Sequence, residues 1–160
     1  MPKADVRAYM AHTFKHRKYV RDVLTPKIHT LGIRTRNPFY EADGTTKQRH
    51  IRLADEKEAR GEVIDYLQVC KQANMSAKTI CTRDLHYIDR TDFTIAYLTD
   101  LSKGTSDEVF YTGAIKRRPV FLLCTDDVLR QHPWFVFECR FGKICKTEEE
   151  LLKALKKRYG

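Results

Sequence analysis

The order of apolar segments in the second half of the chain constrains the fold most. The run FTIAYLT at 93–99 is rich in residues that favour β-strands, and the run PVFLLCT at 119–125 has the same character. Between them lies a polar loop with one glycine and a segment of helical pattern, SDEVFYTGAIKR. Strand, helix and strand in this order indicate a unit whose two strands run parallel.

The remaining segments extend this alternation. Further strands are predicted at 6–11, 33–40 and within 141–147, with helices at 12–32, 76–92 and 147–160. We expect Pro26 to kink the first helix and Gly32 to end it. Thr147 and Glu150 are spaced for a capping box. The chain is thus predicted to be α/β, a doubly wound, mostly parallel five-stranded sheet with helices on both faces, Rossmann-like and flavodoxin-like, forming a single domain over 1–160.

The segment EADGTTKQRHIRLADEKEARG at 41–61 is polar and rich in turn-forming residues. It predicts a mobile loop that runs into a helix from about Asp55 to Ala73.

Composition excludes several classes of protein. No apolar run approaches the ~18 residues of a membrane span, and the first residues lack the apolar core of a secretory signal. Five cysteines without a CxxC pair indicate reduced thiols in a cytosolic protein, with no disulfide frame and no zinc site. No GxGxxG, Walker A, HExxH or GxSxG pattern is present, so we expect neither a cofactor nor a metal.

The formal net charge of +9 is unusual, with basic groups at 15–18 and 156–158. A basic surface attracts anions such as nucleotides or nucleic acid, although it can also be an ordinary solvated face. Aromatic residues are not interleaved with the basic groups, so binding to nucleic acid is disfavoured.

Parallel sheets of this kind bind ligands at the carboxyl ends of their strands. That rule brings together the turn after Ala11, the region Asp84–Asp92 and the loop from Asp100 to Glu108. Ser106 or Thr105 is expected to cap the following helix, which puts Glu108 in its first turn, where the dipole stabilises a carboxylate by about 0.3–1 kcal/mol. An acidic residue in a first helical turn often reflects only the general preference of helix starts for acidic side chains.

Two further groups favour a catalytic role for Glu108. Asp84 precedes the strand at 93–99, and Tyr9 lies in the first strand beside the same rim. A carboxylate nucleophile, a second carboxyl group and a hydroxyl that orients the nucleophile are the parts needed to break a glycosidic bond with retention.

At these residues the sequence resembles the nucleoside 2-deoxyribosyltransferase family and the related deoxynucleoside 5′-monophosphate N-glycosidases. The resemblance starts with YMA at Tyr9, continues through NPFY, and is strongest in RDLHYIDRTDFTIAYLTDLSKGTSDEVFYTGAIKRRPVFLL. That block is similar to the family pattern D-L-x-x-I-x-x-(T/A)-D, an apolar strand, G-T-x-x-E, and (K/R)-P-V.

The resemblance implies roles for individual residues. Glu108 matches the glutamate that takes the deoxyribosyl group, Tyr9 the tyrosine that orients it, and Asp84 an aspartate at the base or sugar site. Gly104 and Thr105 belong to the matching turn and are assigned to substrate binding, as is Asp100, although the loop length differs there. Family members assemble as dimers or larger oligomers, so a homo-oligomer is expected.

The turn after the first strand departs from the family, because His12 and Thr13 stand where a small or glycine-containing turn is usual. A basic cluster follows, which is either an exposed helix start or a phosphate site. In the second case Thr13 and Arg17 are the expected phosphate ligands. His12 is assigned to substrate binding.

The leading hypothesis is therefore an enzyme that cleaves the N-glycosidic bond of a 2′-deoxynucleoside or its 5′-monophosphate through a glycosyl–Glu108 intermediate. Water or another nucleobase receives the sugar. The alternatives are a non-catalytic nucleotide-sensing module and cleavage of another ribosyl nucleotide, such as NAD or CMP.

Overall fold

The strands form one parallel sheet, as a computed structural model shows for residues 4–41 and 46–160. Its five strands lie in the order β2-β1-β3-β4-β5, and every neighbouring pair is parallel. They are β1 Arg7–His12, β2 Arg34–Arg36, β3 Phe93–Leu98, β4 Val120–Cys124 and β5 Lys143–Cys145. The predicted α/β, doubly wound fold is thereby confirmed. The strand order reverses between β1 and β3, which is where such sheets bind ligands.

Helices occupy the connections between the strands. They are α1 Arg17–Tyr19, α2 Thr25–His29, α3 Arg49–Ala59, α4 Tyr66–Gln72, α5 Ala77–Asp89, α6 Lys103–Phe110, α7 Asp127–Arg130, α8 Pro133–Glu138 and α9 Glu148–Tyr159. In the described part of the chain, none of them combines the length and apolar character needed to cross a membrane.

Alternate strand residues face opposite sides of the sheet and build two cores. On one side Met10, Ile95 and Phe121 pack with apolar residues of the first helical segment and of α9. On the other side Tyr9 and Leu122 pack with apolar residues of α5, α6 and α8. This alternation directs Tyr9 toward α6, the helix that carries Glu108.

The first helix continues through Pro26 instead of ending or breaking there. A 3₁₀ turn, Phe14–His16, leads into α1, and a π-helical stretch, Val20–Leu24, joins α1 to α2. Pro26 lies in the first turn of α2. The π-helical winding before Pro26 interrupts the regular i→i−4 hydrogen-bond pattern, so the helix continues through a residue that has no N–H group to donate.

The predicted helix over 55–73 is wrong, because two helices, α3 and α4, occupy this region. Gly61 ends the first in a left-handed conformation (φ +76°), and the Asp65 carboxylate caps the second by accepting from the Leu67 amide at 3.0 Å. Residues 42–45 of the predicted mobile loop lie outside the described residues. The predicted strand at 33–40 is shorter, Arg34–Arg36.

The helix that carries Glu108 starts earlier than predicted. Its N-cap is Ser102, and neither Ser106 nor Thr105 caps it. Glu108 therefore lies beyond the first turn, which contains no acidic residue. The expected contribution of the helix dipole to its ionisation is wrong, since that effect is confined to the first turn.

At the C-terminal helix, Thr147 accepts from the Glu150 amide at 3.2 Å as predicted, while Glu150 reaches back to the Lys146 amide at 2.8 Å.

Candidate active site

A pocket of about 420 Å³ opens at the carboxyl ends of β1 and β3, between α5 and α6. Three of the predicted site segments meet here. The turn after β1 contributes His12 and Thr13, α5 contributes Asp84, and α6 contributes Gly104 and Glu108. Gly104 and Glu108 are four residues apart on α6, so they lie on one face of the helix, one above the other.

Tyr9 and Glu108 are joined directly. The Tyr9 hydroxyl donates a hydrogen bond of 3.0 Å to Oε1 of Glu108. Tyr9 is fully buried, and burial holds its pKa well above the ordinary value, so the phenol stays protonated and remains a donor. This bond occupies one carboxylate oxygen of Glu108 and holds the side chain in place.

The surroundings of Glu108 resist a negative charge. Desolvation is the main cause, and the charge of Asp84 adds to it, so that the pKa of Glu108 lies well above its ordinary value. The hydrogen bond from Tyr9 acts in the opposite direction.

Asp84 has a different environment in the same pocket. Its Oδ1 accepts hydrogen bonds from Nε and Nη2 of Arg83 at 3.1 and 3.0 Å. Arg83 is itself held by Gln48, whose Oε1 accepts from Nη1 at 2.6 Å. Desolvation raises the pKa of Asp84, while the Arg83 guanidinium opposes that rise.

These two carboxyl groups form a coupled pair. Both are desolvated, and the charge of Asp84 disfavours a charge on Glu108, whereas the Arg83 guanidinium favours the ionised form of Asp84. A proton held by the pair therefore resides mainly on Glu108, and its transfer to Asp84 gives the ionised Glu108. A nucleophile and an acid can therefore arise from one proton within the pocket.

His12 is held as a neutral ring. The Asn37 Oδ1 accepts from the Phe39 amide at 3.0 Å, so the Asn37 Nδ2 donates to His12 Nε2 at 2.8 Å. His12 Nδ1 then carries the proton and donates to the Thr13 carbonyl at 3.0 Å. With both nitrogens engaged, and with burial lowering its pKa to about 4, His12 presents an uncharged ring to the pocket and is unsuited to acid–base work.

One wall of the pocket is aromatic. Phe14 and Tyr66 have ring centroids 5.0 Å apart, and Phe39 lies 5.9 Å from Tyr66 and 5.0 Å from His12. Phe14 and Tyr66 were not among the predicted site residues. Nothing in the local sequence around Tyr66 indicates that its helix meets the turn after β1.

Two small polar residues complete the pocket. Thr105 is 2% exposed and Thr13 is partly exposed, and the Thr13 hydroxyl has no hydrogen-bond partner in the described part of the chain. An unpaired buried hydroxyl is available to a ligand.

Arg17 and Asp100 lie outside the pocket. Arg17 is 5% exposed, and its Nη2 donates to Asp55 Oδ1 at 2.9 Å and to Glu58 Oε2 at 2.6 Å. Asp100 is an exposed residue that pairs with Lys15 at 2.7 Å. The basic cluster after β1 is thus engaged by carboxylates, and neither Arg17 nor Asp100 lines the pocket.

Within residues 4–41 and 46–160, no three His, Cys, Asp or Glu side chains are grouped so that they could hold a metal ion. Neither a protein-family model nor a curated protein sequence matches the chain.

Proposed function

We propose that this protein cleaves the N-glycosidic bond of a 2′-deoxynucleoside through a covalent glycosyl–Glu108 intermediate. The observation that carries the proposal is the 3.0 Å hydrogen bond from Tyr9 to Glu108 inside a pocket that also contains Asp84. The resemblance to the nucleoside 2-deoxyribosyltransferases adds support, because it assigns these same three residues to catalysis.

In the first step, Oε2 of ionised Glu108 forms a bond to C1′ of the sugar. Tyr9 engages Oε1, so Oε2 is the oxygen left for attack. The electron pair of the C1′–N bond leaves with the base, and the base nitrogen takes the proton from Asp84. The products are the free base and a glycosyl ester of Glu108.

In the second step, water or another nucleobase attacks C1′. The bond from C1′ to Oε2 breaks, and its electron pair returns to Glu108. With either acceptor, Asp84 takes the proton that the attacking water or the attacking base nitrogen loses, which restores the shared proton of the pair.

The aromatic wall supports a nucleobase as the group bound opposite the carboxyl pair. Phe14, Phe39 and Tyr66 offer apolar ring surface of the kind on which a flat heterocycle packs. The neutral ring of His12 extends this surface.

The charge of the pocket favours a nucleoside over its 5′-monophosphate. Among the described residues that line the pocket there is no lysine or arginine, while Asp84, Asp107 and Glu108 are acidic. A phosphate dianion would meet negative groups without a paired cation. This modifies the expectation from the sequence, in which the basic cluster favoured nucleotides.

The test is release of free base from a panel of deoxynucleosides and their 5′-monophosphates, with and without an acceptor base. We expect base release from deoxynucleosides by the wild type, and loss of at least ~1,000-fold in Glu108→Gln, because the amide is a poor nucleophile. Asp107→Asn is the matched control, since Asp107 is the exposed acidic neighbour of Glu108 and pairs with Lys103 at 2.9 Å on the helix surface.

Full activity of Glu108→Gln would remove Glu108 as nucleophile. Tight binding of deoxynucleosides without turnover, equal in wild type and Glu108→Gln, would instead support the non-catalytic nucleotide-sensing module.

We also propose that the chain self-associates, as the resemblance implies. Phe110 on α6 and Trp134 and Phe137 on α8 are 39%, 58% and 46% exposed, and their rings form one group with neighbouring centroids 6.1 and 6.5 Å apart. Exposed aromatic groups of this kind are typical of protein interfaces. Phe110 is two residues from Glu108 on α6, so the two side chains lie on different faces of the helix, and a second copy bound here would contact α6 away from the pocket.

A further inference from the structure

A second cavity, of about 390 Å³, lies near the amino ends of β1 and β2, whereas Glu108 lies near the carboxyl ends of the strands. Arg7 and Arg34, the first residues of β1 and β2, line it together with Arg36. Tyr87 and Arg90, at the end of α5, form its other side. Four of the residues that face this cavity are therefore arginines.

Acidic residues balance only part of this charge. Asp5 pairs with Arg7 at 2.9 Å and with Arg34 at 3.2 Å. Asp92 accepts from the backbone amide of Arg7 at 2.8 Å. In the part of the chain that the structure describes, neither Arg36 nor Arg90 has a carboxylate partner, so two guanidinium groups remain uncompensated.

Arg36 carries the strongest indication of a missing ligand. Its Nη1 is buried and has no hydrogen-bond acceptor among the described residues. Its guanidinium lies 3.9 Å from the centroid of the Tyr87 ring, which fixes its orientation. Leaving a buried donor of a charged group unpaired is unfavourable, and an anion in the cavity would supply the acceptor.

The C-terminal end of α5 does not repel an anion from this cavity. Its carbonyl groups carry partial negative charge, but Arg118 Nη1 donates to the carbonyls of Ile88, Asp89 and Thr91 at 3.0, 3.2 and 2.8 Å. These contacts satisfy the helix end and add a fifth cation near the cavity.

We propose that this cavity binds a phosphate-bearing small molecule through Arg36 and Arg90, with Arg7 and Arg34 at its rim. Guanidinium groups match phosphate oxygens in geometry and bind them in pairs. The cavity has more space than a single orthophosphate fills, which favours a diphosphate or a longer phosphate chain. One face of Tyr87 is covered by Arg36, so recognition is directed to the phosphates and not to a stacked base.

Calorimetric titration of the full chain with inorganic pyrophosphate at low salt tests the proposal. We expect saturable binding that weakens as salt is added, because the contacts are ionic. Arg36→Gln and Arg90→Gln are each expected to weaken binding by about 10-fold or more. Arg90 is exposed, so its replacement tests the site even if loss of Arg36 disturbs the packing on Tyr87.

Arg52→Gln is the matched control, because Arg52 is an exposed arginine on α3 away from the cavity, and it should bind like the wild type. Glu108→Gln should also bind like the wild type, which separates this site from the proposed catalytic one. Absence of saturable binding up to about 10 mM pyrophosphate, or equal weakening in Arg52→Gln and Arg90→Gln, would overturn the proposal.

Two further binding measurements identify the ligand and the place where it binds. Loss of binding in Lys15→Gln, with Arg90→Gln unaffected, would place pyrophosphate near the carboxyl ends of the strands and overturn the assignment. A single-stranded oligonucleotide is the second probe. If it binds more tightly than pyrophosphate and with the same dependence on Arg36 and Arg90, the ligand of the cavity is nucleic acid and not a small molecule.

Discussion

Tyr9 and Glu108 are 99 residues apart in the chain, yet the phenol of one donates a 3.0 Å hydrogen bond to the carboxyl group of the other. Tyr9 comes from the middle of a buried strand and Glu108 from the helix that follows β3. Their contact exists because β1 and β3 are neighbours in the sheet, with Tyr9 in register with Thr94.

Replacement of Tyr9 by phenylalanine keeps the ring in the core and removes only the donor. Hydrogen bonds to charged groups contribute about 1.5–3 kcal/mol, so kcat/KM for base release should fall by roughly 10- to 100-fold. The pKa of Glu108 should also rise, because the bond from Tyr9 lowers it. The acid limb of the kcat/KM profile should thus move to higher pH, and an unchanged rate and profile would exclude this role for Tyr9.

The pH profile of Asp84→Asn tests the coupled pair. Burial and the Asp84 charge both raise the pKa of Glu108, so activity should be lost as pH falls through that raised value. Removing the Asp84 charge should move this acid limb to lower pH, and kcat should fall because the proposed acid is gone. Asp107 has a smaller effect on the pKa of Glu108, so Asp107→Asn should move the acid limb only slightly. A limb that stays in place in Asp84→Asn would contradict the coupling.

Arg17 is predicted to stabilise the fold without setting the substrate. Arg17→Met removes the buried partner of Asp55 and Glu58, while Lys47 still pairs with Asp55 at 2.6 Å and Lys18 with Glu58; the free energy of unfolding, measured in urea, should fall by about 1.5–3 kcal/mol. Lys18→Met is the control, because exposed Lys18 pairs with the same Glu58 at 3.0 Å and should change stability by less than about 1 kcal/mol. The ratio of activities on nucleoside and 5′-monophosphate should be unchanged in Arg17→Met. A changed ratio would show that Arg17 contributes to substrate binding.

Glu138 is predicted to make stability depend on pH. It is 4% exposed, its Oε2 has no hydrogen-bond partner in the described part of the chain, and burial raises its pKa from 4.5 to about 7. The folded state therefore retains a proton that the unfolded state releases, and stability should decrease as pH rises from about 4.5 to 7.

Glu138→Gln stays neutral throughout, so its Tm should match the wild type near pH 4 and exceed it above pH 7. Glu56→Gln, at an exposed position on α3, should show no such difference. Equal Tm curves for Glu138→Gln and wild type would contradict the buried, titrating carboxyl group.

Self-association should depend on the aromatic group on α6 and α8. Trp134→Lys places a charge among Phe110 and Phe137 and should shift the protein toward the monomer in sedimentation velocity. Leu67→Lys, at a residue 68% exposed on α4, is the control and should leave the assembly as it is. A wild type that is monomeric at all concentrations would contradict this interface.

The backbone architecture was readable from local pattern. Apolar runs such as 93–99 and 119–125 are long enough to be buried strands, and the helices between them leave a parallel sheet as the arrangement that buries both faces. The rule that ligands bind at the carboxyl ends of the strands then brought Tyr9, Asp84 and Glu108 to one rim; Asp84 and Glu108 do line one pocket, and buried Tyr9 contacts Glu108 from the core. These inferences need only periodicity and chain order, both of which are local properties.

What the tertiary structure decided is the environment of each charge. Glu108 was expected to be stabilised by a helix start, whereas it lies beyond the first turn in a desolvated site beside Asp84. Arg17 was expected to meet a phosphate, whereas Asp55 and Glu58 enclose it. Desolvation and ion pairing depend on which distant segments pack together, so local pattern does not contain them, and the unpaired guanidinium of Arg36 emerges only from the folded chain.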